Sequence, residues 1–187
     1  MAIARNPVFK RCRYLGLDPS VLGYTHKPSV RQQVRSRRKS SEYALQLKEK
    51  QKVRFVYGVL ERQFQRAYAR AERKSGMTGE NLLRIMEQRL DNVIYRLGWA
   101  ATRRQARQMV NHGHIWVNGK RVDIPSYEVS MQDVITATKK TQGVHRLIPA
   151  WLSMQKETSE ATVVGLPTRS DIDFTVSERA IVELYSK

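Results

Sequence analysis

The dipeptide Asn118-Gly119, set between Ile115-Trp116-Val117 and Lys120-Arg121-Val122, constrains the fold of this chain more than any other feature. A two-residue type I′ turn needs positive φ at both central positions, which asparagine and glycine tolerate best. Such a turn fixes the register of a β-hairpin in which Val117 faces Lys120, Trp116 faces Arg121 and Ile115 faces Val122. Just upstream, Thr102 is a candidate N-cap, and Gln105, three residues on, completes a capping-box pattern. Spacing then predicts a short helix with Arg103, Arg104 and Arg107 on one side and Ala106, Met109 and Val110 on another. Gly113 is the expected helix stop, because a left-handed residue costs glycine little. A cationic helix start beside a small basic hairpin suits a phosphate-lined groove.

Charge points the same way. The 187 residues hold 34 Lys and Arg against 17 Asp and Glu, a net charge of +17. An excess of this size calls for a polyanion, either nucleic acid or an acidic membrane surface. Residues 1–74 carry 19 basic and 5 acidic side chains, residues 75–155 carry 11 and 6, and residues 156–187 carry 4 and 6. The N-terminal part therefore supplies most of the attraction. A single cysteine, Cys12, rules out an intramolecular disulfide and any cysteine cluster for zinc or iron–sulfur. No apolar run approaches the roughly 20 residues of a spanning helix, and Met1-Ala2-Ile3-Ala4-Arg5-Asn6-Pro7 lacks the apolar stretch of a secretory signal. The expectation is a soluble intracellular chain without a membrane partner.

Residues 1–40 show little apolar periodicity, contain Pro7, Pro19 and Pro28, and end in a basic run from Arg31 to Lys39. We expect an extended basic arm, mobile on its own because it buries too little apolar surface to offset ordering entropy. From the N-cap candidate Ser41, Tyr43, Leu47, Val53 and Val56 fit one helical stripe, with Lys48, Lys50 and Lys52 mostly elsewhere. After an interruption at Gly58, a second helix runs through Leu60, Phe64 and Tyr68, with Arg62, Arg66, Arg70 and Arg73 on its other faces. Leu82, Leu83, Met86, Leu90, Val93, Ile94 and Leu97 predict a third helix that stops near Gly98. Beyond the hairpin, Val134–Thr138 is a β-branched strand candidate. Residues 142–170 read as a long connection with one brief helix near Pro149–Met154, Phe174-Thr175-Val176 as a strand candidate, and Ser177-Glu178 as the cap of a last helix. Its apolar Ile181, Val182, Leu184 and Tyr185 require a docking surface.

Each candidate has a plainer alternative. Arginines at helical spacing usually form a solvated face, but no acidic residue lies between Thr102 and Arg121 to pair with these three, and a helix N-terminus favours phosphate. Tyr43 either stacks on a base or packs. Trp116 is either an RNA-facing surface or half of a cation–π pair with Arg121, and we favour the pair. His112 and His114 flank Gly113 without a third ligand at metal spacing, so they are read as cap or phosphate contacts; His26 and His145 are isolated. Asp91 is read as the partner of a basic neighbour rather than a catalytic acid. Gly-rich phosphate loops, activated nucleophiles and paired carboxylates are all missing, and we expect no enzyme and no cofactor.

Residues 102–122 resemble the small RNA-binding module named after the fourth small-subunit ribosomal protein, which some pseudouridine synthases, tyrosyl-tRNA synthetases and a ribosome-rescue protein also carry. The flanks resemble that ribosomal-protein family itself: Ser41–Lys52, Tyr57–Phe64, Thr78–Leu83, Arg89–Gly98 and the closing Ile181–Lys187. An enzyme bearing the module would need a further catalytic domain of well over about 100 residues, and a rescue factor would lack the helices of 41–98. The N-terminal arm departs from the family pattern. Many members have several cysteines for zinc and a Pro-Gly-Gln-His-Gly stretch, where this chain has Cys12 alone and Val30-Arg31-Gln32-Gln33-Val34.

The resemblance implies an α+β fold: a basic arm over 1–40, a helical domain over 41–88 completed by 150–187, and an RNA-binding module inserted at 89–149. It also implies a structural constituent of the small ribosomal subunit that binds small-subunit ribosomal RNA (rRNA) in the 5′ domain and nucleates assembly. Further implied are a place at the mRNA entrance pore, an influence on translational accuracy, and contact with the third and fifth small-subunit proteins. The compartment implied is the cytoplasm, on the ribosome, and an organellar matrix or stroma fits the same residues. The candidate RNA-binding residues are Arg35, Arg37, Arg38, Lys39, Tyr43, Lys48, Lys52, Arg62, Arg66, Arg103, Arg104, Arg107, His112, His114, Lys120 and Arg121. Of these, Arg37, Arg38 and Lys39 are placed at the pore by their alignment ahead of Ser41-Glu42-Tyr43.

Overall fold

The computed structural model describes residues 7–25, 41–138, 144, 146–155 and 159–186. The chain divides into two compact units, Met1–Glu80 with Asp173–Lys187, and Asn81–Ile172.

The first unit is helical. Helix α1 (Val8–Leu15) buries Cys12 and Leu15 and ends at Gly16 in the left-handed region. A 3-10 turn, Pro19–Leu22, follows, capped by Asp18, whose carboxylate accepts from Ser20 N at 2.9 Å. The expectation of an extended arm with too little apolar surface to bury is thus corrected for 7–25: Cys12, Leu15, Leu17 and Leu22 bury a small face. Helix α2 (Glu42–Val56) starts at Ser41, whose Oγ accepts from Ala44 N, and buries Val53 and Val56. Helix α3 (Glu61–Glu72) buries Phe64, Ala67, Tyr68 and Ala71. The division between units falls within α4 (Thr78–Glu87).

The last helix, α7 (Glu178–Tyr185), docks on α2 through buried Ile181, and the Tyr185 ring stacks on Tyr68 at 4.4 Å. Gly79 permits the close approach, since a Cβ there would meet Glu178 Cβ at 2.7 Å. Phe174-Thr175-Val176 forms no strand; Phe174 and Val176 are simply buried, and Phe174 packs edge-on against Tyr57.

The second unit joins helices to one sheet. The apolar stripe from Leu82 to Leu97 is two helices rather than one. Between α4 and α5 (Leu90–Arg96), the chain turns at Gln88 and Arg89 is extended. There Arg89 bridges Glu128, Leu90 N donates to Tyr127 O, and Val129 N donates to Gln88 O. Helix α6 (Arg103–Asn111) packs on α5. The strands β1 (Ile115–Val117), β2 (Lys120–Arg121), β3 (Val134–Ala137), β4 (Leu152–Gln155) and β5 (Glu160–Val163) form an antiparallel sheet in the order β2-β1-β3-β5-β4.

Strands β4 and β5 replace the expected connection and its brief helix. Trp151, Leu152, Ala161 and Val163 belong to the same core as Leu90, Ile94, Val110, Ile115 and Ile135, which draws this stretch onto the sheet. Residues 81–88 and 150–172, which we expected with the helical domain, lie in this second unit.

Candidate nucleic-acid interface

The hairpin is built as its residues dictate. Asn118 and Gly119 take φ of 51° and 73°, and Trp116 pairs with Arg121 and Val117 with Lys120. The Asn118 side chain also ties the turn to β3: Nδ2 donates to Asp133 Oδ1 at 2.8 Å, and Oδ1 accepts from Val134 N at 2.9 Å. Asp133 in turn accepts from Ser130 N. The turn that presents Lys120 is thereby anchored to the start of β3.

At the start of α6, Thr102 Oγ1 accepts from Gln105 N at 3.2 Å, and Gln105 Oε1 accepts from Ala101 N, one residue before the expected partner. The three arginines do not share one solvent face. Arg103 is only 8% exposed; its Nε donates to Asn92 Oδ1 at 3.0 Å and its guanidinium lies 4.1 Å from the Tyr95 ring centroid. Arg107 lies 3.9 Å from Asp91, which already binds Arg89 through two hydrogen bonds. Burial lowers the Arg107 pKa from the ordinary arginine value, and Asp91 opposes that shift while Arg89 adds to it. The carboxylate that residues 102–121 lack is supplied by α5. Arg104 alone of the three is exposed, as is Gln108 four residues on.

At the other end of α6, Arg121 folds back over Gly113, where a Cβ would run into its guanidinium, and Nη2 donates to His112 O at 3.4 Å. This corrects the expected pairing of Arg121 with Trp116: the backbones are opposed, but the carbonyls at a helix C-terminus attract the cation. His112 is exposed and His114 half-buried, with ring centroids 6.0 Å apart. Lys120 and Arg121 are both exposed. The result is a surface with Arg104 at the head of α6 and His112, Lys120 and Arg121 toward its tail.

Comparison with known families decides what carries this surface. Residues 4–87 match the model described as Ribosomal protein S4/S9 N-terminal domain, and residues 88–135 match the S4 domain. A curated relative from Agathobacter rectalis, named small ribosomal subunit protein uS4, is 52% identical over 100% of both chains. Proteins of the same name from Fusobacterium nucleatum and Cutibacterium acnes are 46% and 49% identical, again over 100% of both chains. This chain belongs to the uS4 family of ribosomal proteins. Membership of the uS4 family, matched over the full length of both chains, distinguishes this protein from the enzymes that carry the same RNA-binding module.

The remaining candidates fall on the helical unit of this uS4-family chain. Tyr43 is 58% exposed at the head of α2, so it does not pack into the core. Arg62 and Arg66 are exposed on α3, one turn apart. Lys48 is half-buried, and Lys52 is held by Glu49 at 2.6 Å. Arg35, Arg37, Arg38 and Lys39 lie outside the described residues, as do His26 and His145. Among the described residues no cluster of three or more His, Cys, Asp or Glu is placed to hold a metal, and no helix is long and apolar enough to cross a membrane.

One basic residue near the site escaped the sequence reading. Arg146 covers the Tyr95 ring at 3.6 Å and donates to Ala101 O, and the adjoining Val144 N donates to Gly98 O. Nothing local to Arg146 signals this role, because its partners lie some 45 residues earlier.

Proposed function

We propose that this chain is a structural constituent of the small ribosomal subunit that binds small-subunit rRNA directly, in the 5′ domain, and early in assembly. The observation that carries the reading is the outward set Arg104, Lys120 and Arg121, presented by a helix start and a hairpin that contain no carboxylate of their own. Such a surface grips phosphates and 2′-hydroxyls of a folded RNA and reads few bases. Arg62, Arg66 and Tyr43 form a second contact on the helical unit, whereas Arg103 and Arg107 act inside the fold. The proposal extends to the cytoplasm as compartment, to the third and fifth small-subunit proteins as neighbours, and to an influence on translational accuracy.

Arg37, Arg38 and Lys39 are proposed to line the mRNA entrance pore. A cationic surface there holds single strands as they separate, so charge-neutralising substitutions leave assembly intact and slow translation of hairpin-containing messengers. The test is sedimentation of tagged protein with small subunits, followed by translation of structured and unstructured messengers by the assembled particles. Failure to co-sediment overturns the ribosomal reading. Unaltered relative rates on the two messengers overturn the pore assignment alone.

A further inference from the structure

Helix α1 offers a surface that the candidate set above does not include. Its buried side is Cys12 and Leu15. The opposite side carries exposed Lys10, Arg13 and Tyr14, and the helix contains no acidic residue. Tyr14 is 65% exposed, a large aromatic surface to leave in water. It is nevertheless held in place from one side: the Arg11 guanidinium sits 5.3 Å from its ring centroid, and Arg11 Nη2 donates to Gln51 Oε1 on α2 at 3.3 Å. Arg11 and Lys10 precede Tyr14 by three and four residues, so all three are neighbours on the helix surface.

We propose that Tyr14 is a stacking platform for one unpaired base of ribosomal RNA, with Lys10 and Arg13 on the flanking phosphates. A cation positioned over an aromatic ring within about 6 Å is attracted to its face. Here that cation covers one face and is itself anchored to α2, which leaves the second face open in a fixed orientation. An aromatic ring amid cations with no carboxylate on its helix is the arrangement that binds single-stranded nucleic acid: stacking tolerates any base and the cations follow the backbone. An apolar protein partner would find three positive charges around one ring, which would have to be desolvated without compensation. The inference rests on the rRNA-binding reading and adds to it a site on α1 and the class of nucleotide it takes.

The test is binding of the full chain to small-subunit rRNA over a series of salt concentrations. Stacking on one base predicts about a 5- to 150-fold loss of affinity for Tyr14→Ala. The salt slope should not change, because the ring neutralises no phosphate. Tyr14→Phe should retain affinity, since only the ring face is used. Lys10→Ala should weaken binding and, unlike Tyr14→Ala, lower the salt slope by about one. Tyr14 lies outside the buried face of α1, and an unchanged helical circular dichroism signal checks that the variants remain folded. Wild-type affinity for Tyr14→Ala, or an equal loss in Tyr14→Phe, overturns the stacking site while the rRNA-binding reading stands. Absence of rRNA binding by the wild-type chain overturns both.

Discussion

The guanidinium of Arg103 lies over the Tyr95 ring, 4.1 Å from its centroid, with its Nε bonded to Asn92. Asn92 also donates to Glu87, a fully buried carboxylate that Arg96 binds through two hydrogen bonds. The first arginine of the cationic helix start therefore completes a polar network within the fold, and the second faces outward. Removing one member of such a network is costly, because the buried group it leaves behind loses its partner. Adjacent positions in the sequence thus have opposite tasks.

Substituting each arginine should separate the tasks. Arg103→Ala removes a charged hydrogen-bond donor from a buried asparagine and should cost about 2 kcal/mol of stability, seen as a lower denaturant midpoint. Arg104→Ala should leave that midpoint within about 0.5 kcal/mol, weaken rRNA binding and lower its salt slope by about one. Equal midpoints for the two variants would show that the Arg103 network contributes nothing.

At the hairpin, Asn118 combines a φ of 51° with side-chain bonds to Asp133 and Val134. Asn118→Ala loses the bonds and also places an alanine in the left-handed region, which costs roughly 1–2 kcal/mol. Asn118→Gly loses the bonds alone. Denaturant unfolding should rank wild type above Asn118→Gly and Asn118→Gly above Asn118→Ala. If alanine proves as stable as glycine, the turn carries no conformational constraint.

In the helical unit, Glu61 joins three elements: Lys50 Nζ lies 2.9 Å from its carboxylate, Arg54 binds the other oxygen, and the Tyr185 hydroxyl donates to it at 3.1 Å. Burial pushes the Glu61 pKa up, but the Lys50 hydrogen bond, the Arg54 and Lys50 charges and the Tyr185 hydroxyl together bring it below the ordinary glutamate value. A carboxylate with a lower pKa folded than unfolded stabilises fully above the unfolded value, and the contribution is lost as pH falls through the folded one. Wild-type stability should therefore drop more steeply than that of Glu61→Gln between about pH 6 and about pH 3. Parallel curves would show that the ion cluster does not hold α7 in place.

Features set by a few neighbouring residues were legible in the sequence. The caps at Ser41, Thr102 and Ser177 and the hairpin register match the structure. Gly113 takes a φ of 70°, as a helix stop requires. Backbone preference acts over three or four positions, so such features need no knowledge of the rest of the chain. Ile181 and Tyr185 also announced a docked C-terminal helix, because apolar side chains on a polar segment need a surface somewhere, although the sequence does not say which.

What only the tertiary structure decided is which groups meet. The stripe Leu82–Leu97 is interrupted because residues 125–129 supply backbone partners to Gln88, Arg89, Leu90 and Asp91, a competition invisible in helical periodicity. Leu152–Gln155 is a strand because β5 and the core around Ile135 lie beside it. Arg103 and Arg107 left the solvent face because Asn92, Tyr95 and Asp91 come up beneath α6 from the preceding helix. The sequence by itself determined the local turns, the helix ends and the cationic character of the chain, since these depend on residue type and near neighbours. Whether a given cation is buried against a ring or left for RNA depends on burial and on partners brought from far along the chain, and that is settled only when the chain has folded.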